Sequence, residues 1–533
     1  MKKNRFSLKK VCVNLLVILI ILAVSACSGP GSSSNESSST SNASSVESDS
    51  TNEVKHLDIF VNETWWLTDK WKGIIPDEIT KRTGVALDLT IAADANQLGL
   101  MIASNELPDL VFTDTNIDRL SDSKLCYPLD DLSKENGLDF AATIGDERAK
   151  IANFFSKDDK IYTCLNAYAS QKEWKNAAVG VPGQACIFYR KDMYQELGSP
   201  SMSNLDEFAS VLESSLKKYP NIIPFACNIN QKFTSIATEM GAGSPTEYIY
   251  DSNKKPTIAM TTPEYHNYLK YMNQLAQKKL ISADNYVLTS EPEARAYAFG
   301  GKCFAFSWYT SPGFIDQLNN ETRKVAPKAE WALLAPLNDK PYYNAGVGWA
   351  GLFISRNCKD PKAAINFVNF MYSEEGRHLS EWGREGTDYT LDERGVPKFS
   401  KDWVSLLADE TAHIKKYNYC HYYGITAIDE AYQRYSNVPK ATQDIFNKYK
   451  EKTVNVPELA LGQPLSGSDE KVLLDKLTEL GKSLEGSVIF SVNDEEFEKN
   501  YKNYMSKAEA LGASKFNSWY AENVEKFRKE YGF

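Results

Sequence analysis

The stretch from Leu57 to Phe112 constrains the fold most, because its apolar pattern switches repeatedly between strand and helix spacing. Leu57-Asp58-Ile59-Phe60-Val61 has strand composition, and Asp69 to Arg82 then sets Trp71, Ile74, Ile75 and Ile79 at helical spacing, with Gly84 just beyond. Val85 to Ile91 predicts a second strand, Ala95 to Ser104 a second helix, and Asp109 to Phe112 a third strand. A βαβαβ succession implies an α/β fold with a parallel, doubly wound sheet. Ligands of such sheets lie beyond the carboxyl ends of the strands. That rule points to the loops carrying Trp65, Trp66 and Asp114.

Farther along, helices dominate. Asp360-Pro361 supplies a capping acid and a proline at the first helical position. Ala364, Ile365, Val368, Met371 and Tyr372 follow on one face, and Gly376 is expected to close the helix. Phe497, Tyr501, Tyr504, Ala508 and Leu511 recur at steps of four and three, as do Tyr520, Val524, Phe527 and Tyr531. Such stripes describe packing faces rather than a cofactor box.

With 533 residues, the chain exceeds one ordinary core and calls for two or more domains. The net charge is −10, and residues 1–26 hold five basic residues and no acid, so the body is more acidic still. Without a Lys/Arg stripe, nucleic acid is excluded as the main partner. Seven cysteines of the body are scattered without a C-x-x-C, which reads as buried thiols rather than a disulfide framework or a zinc site.

The first fifty residues address the compartment. Lys2, Lys3, Arg5, Lys9 and Lys10 precede a charge-free run from Val11 to Ala26, and small residues lead into Cys27. That order predicts a secretory signal over 1–26. Val24-Ser25-Ala26-Cys27 resembles the lipobox of bacterial lipoproteins, which implies a diacylglyceryl group on Cys27, and two acyl chains anchor where one is marginal. Ser28 to Thr51 is almost entirely Ser, Gly, Asn and Thr with a few acids, so 27–53 is expected to be a flexible tether at the outer face of the cell membrane.

Several motifs match only formally. Gly346-Val347-Gly348-Trp349-Ala350-Gly351 fits G-x-G-x-x-G, but Leu352-Phe353-Ile354 continues as strand where a dinucleotide site needs a helix. Gly462 to Gly467 has P-loop spacing with Ser468 in place of the lysine. His413 and His421 beside Cys420 are too loosely spaced for a zinc site. Paired glycosidase carboxylates carry no local signature, so a surface glycoside hydrolase or lyase stays open.

Several blocks together resemble the extracellular solute-binding proteins, in particular the carbohydrate-type lipoproteins of Gram-positive ABC importers. Leu107-Pro108-Asp109-Leu110-Val111-Phe112 is similar to the family's "LPD" strand, and Lys160-Ile161-Tyr162 to its "GKIY" turn, with Asp159 where glycine is usual. Phe188 to Met193, Leu197-Gly198, Pro200 and Leu205-Asp206-Glu207-Phe208 resemble "YRKD…LG…P.T.DEF". Ala345 to Ser355 and Ala363 to Gly376 resemble "GGGWAISK…AA..F..WLYS.EG". Relatives often carry a calcium loop after the "DEF" helix; Lys217-Lys218-Tyr219-Pro220-Asn221 lacks the spaced acids, so no metal is expected.

The resemblance implies a two-lobe, periplasmic-binding-protein-like (type II) fold with a hinge and a helical C-terminal extension. One lobe would be 54–170 plus 300–350, the other 171–299 plus 351–533. It implies a monomer without enzymatic activity or cofactor, which captures an oligosaccharide and passes it to a permease; an oligopeptide or other polar solute is the alternative ligand. Sugar rings pack C–H patches on aromatic faces and pair their hydroxyls with polar tips. The candidate ligand-binding residues are therefore Trp65, Trp66, Asp114, Arg190, Trp308, Tyr309, Trp349 and Trp382.

Overall fold

The computed structural model describes residues 53–532 except 67, 95, 181–184, 230–231, 310–311, 408–409, 419–422, 426 and 437. The expected signal segment, the tether up to residue 52, Cys27, Cys420 and His421 lie outside the described residues.

Eight strands build two four-stranded sheets: β1 (Lys55–Val61), β2 (Val85–Ile91), β3 (Leu110–Thr113), β4 (Ala185–Arg190), β5 (Ile223–Cys227), β6 (Cys303–Tyr309), β7 (Trp331–Leu333) and β8 (Gly351–Ile354). The first sheet has the order β8-β3-β1-β2, with β1 parallel to both β2 and β3. Its two faces are covered separately, as period-two burial requires. Ile59, Val61, Leu110 and Phe112 share a core with Ala364, Ile365, Phe367, Val368 and Met371 of the helix Pro361–Tyr372. Phe60, Val111 and Phe353 pack instead with Leu98 and Ile102 of the helix Gln97–Ser104.

Helix starts follow their caps. Asp360 accepts from Ala363 N at 3.0 Å, as its place before Pro361 predicts. Two expectations fail locally. The helix after Trp71 begins only at Ile74, behind Gly73, and Gly376 closes no helix: Ser373 ends one and caps the next, Glu374–Trp382. Gly376 serves packing, since a Cβ there would meet the Phe370 carbonyl oxygen. Asp109 of the "LPD" stretch is structural, with its carboxylate accepting from the backbone N–H groups of Asp58 and Lys359, each at 2.8 Å.

The second sheet has the order β5-β6-β4-β7, with β5 parallel to β6 and β4 antiparallel to both of its neighbours. Neither sheet is wholly parallel, because β8 also runs antiparallel to β3. Segment 300–350 does not join the first sheet, for β6 pairs with β4 and β5, whereas β8 and the helix after it belong to the first sheet's core. The helices Asp469–Ile489, Asp494–Leu511 and Ala513–Tyr531 do extend the second core, through Leu477, Val488, Phe497, Tyr504 and Tyr520.

The chain leaves the first sheet's cores after segment 163–166 and returns to them at 347–352, and these two segments run side by side. Asn166 N–H donates to the Ala350 carbonyl at 2.8 Å, and Thr163 Oγ1 donates to the Leu352 carbonyl at 3.0 Å. Gly348 sits here at φ +100°, and a Cβ would stand 2.5 Å from Leu165 Cβ and 2.6 Å from the Asn166 oxygen. The glycine pattern that mimics a dinucleotide motif is thus a requirement of close backbone approach. All six described cysteines are buried thiols, as the scattered spacing implied. No helix among the described residues is long and apolar enough to cross a membrane.

Candidate functional site

β1 and β3 end side by side, with Val61 opposite Phe112, and the loops that leave them bring the best-formed constellation together. Trp65 and Trp66 follow β1, and Trp349 arrives from the crossing segment. Ring centroids stand 5.7 Å apart for Trp65 and Trp66, and 6.0 Å for Trp65 and Trp349. Phe112 supports the group from beneath, at 5.5 Å from Trp66 and 5.8 Å from Trp349, and Tyr423 packs 5.3 Å from Trp66. Trp65 remains 47% exposed. An apolar floor thereby holds indoles at the surface without the entropy cost of ordering them on ligand arrival.

Beside the indoles lie two carboxyl groups. Glu63 is only 6% exposed, and its Oε2 accepts from Trp65 Nε1 at 2.7 Å. Its neighbour is Asp114, in the residue after β3. Burial first, and then the Asp114 charge, pushes the Glu63 carboxyl up to about 7. Partial desolvation likewise raises Asp114, in a residue otherwise exposed. The two adjoining carboxyls titrate as a pair, the charge of one opposing ionisation of the other. Asn62, also in this loop, donates through Nδ2 to Thr113 Oγ1 and Thr115 Oγ1, each at 3.1 Å, and its buried Oδ1 has no donor.

The raised Glu63 carboxyl has a consequence for stability. In the unfolded chain it titrates near 4.5, so between about 4.5 and 7 the folded state holds the extra proton. Its contribution is complete below the lower value and is lost as pH rises through about 7. Glu239 shifts the same way by burial, whereas buried His413, lowered to about 4, acts oppositely. Comparing Glu63→Gln with the parent isolates the first effect. The variant is expected to melt higher than the parent at about pH 8 and nearly equal to it at about pH 5. A melting difference independent of pH contradicts it.

The other candidates from sequence lie elsewhere. Arg190 ends β4 and is spent on Asp192, with Nε to Oδ1 at 2.8 Å and Nη2 to Oδ2 at 2.6 Å. Because β4 runs antiparallel, with Ala185 opposite Tyr309, Arg190 lies five residues of strand away, roughly 17 Å. Trp308 is 2% exposed, stacked on Phe314 at 4.0 Å and capped by the Arg295 guanidinium at 4.7 Å. Tyr309, at the carboxyl end of β6, is 42% exposed. Trp382 is 1% exposed, with its Nε1 donating to the Asp429 carbonyl at 2.9 Å. The constellation thus unites Trp65, Trp66, Asp114 and Trp349, whereas Arg190, Trp308 and Trp382 are engaged in contacts of their own and Tyr309 stands exposed at the end of β6.

Sequence reasoning passed over Asn62, Glu63, Phe112 and Tyr423. Glu63 was findable as an acid in the same post-strand loop as Trp65. Tyr423 was not, since only folding brings it beside Trp66. Among the described residues no three His, Cys, Asp or Glu side chains group to hold a metal ion.

Two α/β halves joined by crossing segments, with an aromatic wall at the strand ends, define a two-lobe binding protein. The sequence profile described as bacterial extracellular solute-binding protein matches residues 76–382, and the chain belongs to that family. The alginate-binding protein AlgQ2, solved without calcium ion, is similar in fold: TM-score 0.67 at 18% identity, covering 89% of this chain and 99% of that one. The substrate-binding protein FusA of a Streptococcus pneumoniae ABC transporter, in complex with kestose, gives 0.65 at 17%, covering 89% and 100%. The N-glycan transport solute-binding protein NgtS of Streptococcus pneumoniae, in complex with Man1GlcNAc, gives 0.55 at 16%, covering 89% and 99%. No curated protein matches the sequence.

Proposed function

We propose that this protein captures a carbohydrate, and specifically an oligosaccharide, between its lobes and delivers it to the permease of an ABC importer. The observation that carries the reading is the wall of Trp65, Trp66 and Trp349 beside Glu63 and Asp114. Flat indole faces suit the C–H faces of sugar rings, and carboxyl oxygens suit their hydroxyls. The similar folds named above, described as binding alginate, kestose or an N-glycan fragment, favour the same class.

In this reading one lobe comprises 54–165 with 347–425, the other 177–342 with 428–533, and they close by a hinge at the crossing segments. The protein acts as a monomer held by lipid on Cys27 at the outer face of the membrane. It performs no chemical step and takes no cofactor.

A thermal-shift panel of oligosaccharides and oligopeptides tests the ligand class. A bound oligosaccharide at about 100 times its Kd is expected to add roughly 2.7 kcal/mol of stability. A shift with peptides alone transfers the protein to the peptide-binding class, and recovery of shortened sugars makes it a hydrolase.

A further inference from the structure

We propose that the ligand presents a protonated amine to Glu63 and Asp114, so that the captured carbohydrate is an amino sugar. This inference rests on the carbohydrate reading above and adds the chemical group recognised.

The polar groups beside the indoles are matched to a donor of hydrogen bonds. Glu63 is nine-tenths buried and pairs with the Asp114 carboxyl, and no other group among the described residues donates to its Oε1. Asn62 Oδ1 is buried in the same loop and lacks a donor among the described residues. Among the described residues, no basic side chain figures among the groups acting on Glu63 or Asp114. A hydroxyl brings one donor and no charge to such a place. An ammonium brings three donors and the missing positive charge. The neighbouring side chains agree, for Trp65, Trp66 and Trp349 form a cluster of indoles, and indole faces attract ammonium groups through their quadrupole. A divalent metal is the other cation to weigh. Calcium takes six to eight oxygen ligands, more than two carboxyls and one amide supply, and aromatic walls give it none.

In the free protein a proton on the pair takes the place of that cation. When an ammonium enters, that proton leaves to solvent and both carboxylates accept from the ligand. Anionic sugars such as uronates meet repulsion at the same point.

The test is a titration of the intact protein near neutral pH, followed by tryptophan fluorescence, with glucosamine, N-acetylglucosamine, glucose, methylammonium and calcium chloride as separate probes. Glucosamine is expected to bind roughly tenfold more tightly than glucose or N-acetylglucosamine. Glu63→Gln and Asp114→Asn, which keep shape and folding, are each expected to erase that ratio. Equal binding of the three sugars, or no response to glucosamine, overturns the inference. A response to calcium that displaces glucosamine also overturns it, by giving the pair to a metal. Its failure is distinct from failure of the carbohydrate reading. If neutral oligosaccharides bind without preference for the amine, the reading stands and the inference falls. If glucosamine binds no better than methylammonium, recognition of the sugar itself fails.

Discussion

Trp382→Ala is expected to cost about 3–5 kcal/mol of folding stability, the range for emptying a buried aromatic site. The indole is stacked on His378 at 3.9 Å, packs edge-on against Tyr389 at 5.3 Å, and donates to the Asp429 carbonyl. Removing it leaves a cavity and takes one hydrogen bond from the Asp429 carbonyl, between the helix Glu374–Trp382 and the helix Ala427–Tyr435. Differential scanning calorimetry is expected to show a melting temperature lower by roughly 5–10 °C. Trp382→Phe, which refills most of the volume, should recover over half of the loss. A tryptophan that served ligand binding instead would change affinity and leave melting almost untouched, so an unchanged melting temperature for the alanine variant contradicts the core assignment.

Trp65→Ala reverses that profile. Its side chain is half exposed, so the unliganded protein should lose less than about 1 kcal/mol, as surface substitutions do. The contact of a sugar ring with the indole is lost completely, and anchoring aromatics at a binding site are worth about 2 kcal/mol, or roughly 30-fold in Kd. Calorimetric titration with the oligosaccharide identified by the thermal-shift panel reads the change directly. Affinity equal to that of the parent would remove the aromatic wall from the proposed site. Run together, the two variants separate a packing tryptophan from a binding one in the same chain.

Much of the fold could be read along the chain. The strand–helix alternation from Lys55 to Thr113 follows its pattern with shifts of a few residues at element ends, because each element's burial is dictated by its own period. Strand β8 was legible because Leu352-Phe353-Ile354 reads as strand, and Phe497, Tyr504, Ala508, Tyr520 and Val524 of the stripes in the last two helices are buried, whereas Leu511 is left exposed. The candidate site was half legible. Trp65, Trp66, Asp114 and Trp349 sit in post-strand or crossing loops, where position alone selects them. Trp308 and Trp382 looked equivalent in sequence, yet Phe314 and Arg295 cover one and His378 with Tyr389 covers the other. Nothing local to either residue distinguishes a wall from a core.

The chain by itself settled the strand–helix alternation from Leu57 to Phe112, since hydrophobic period, caps and turn residues act within a few residues of one another. It also settled that the body is acidic. Only the tertiary structure decided that β6 joins the second sheet and β8 the first, because strand partners are chosen by contacts far apart in sequence. The same long-range packing brought Glu63 against Asp114 and raised its carboxyl toward neutrality. A pKa depends on the dielectric and charges that surround a group in space, and those exist only once the chain has closed on itself.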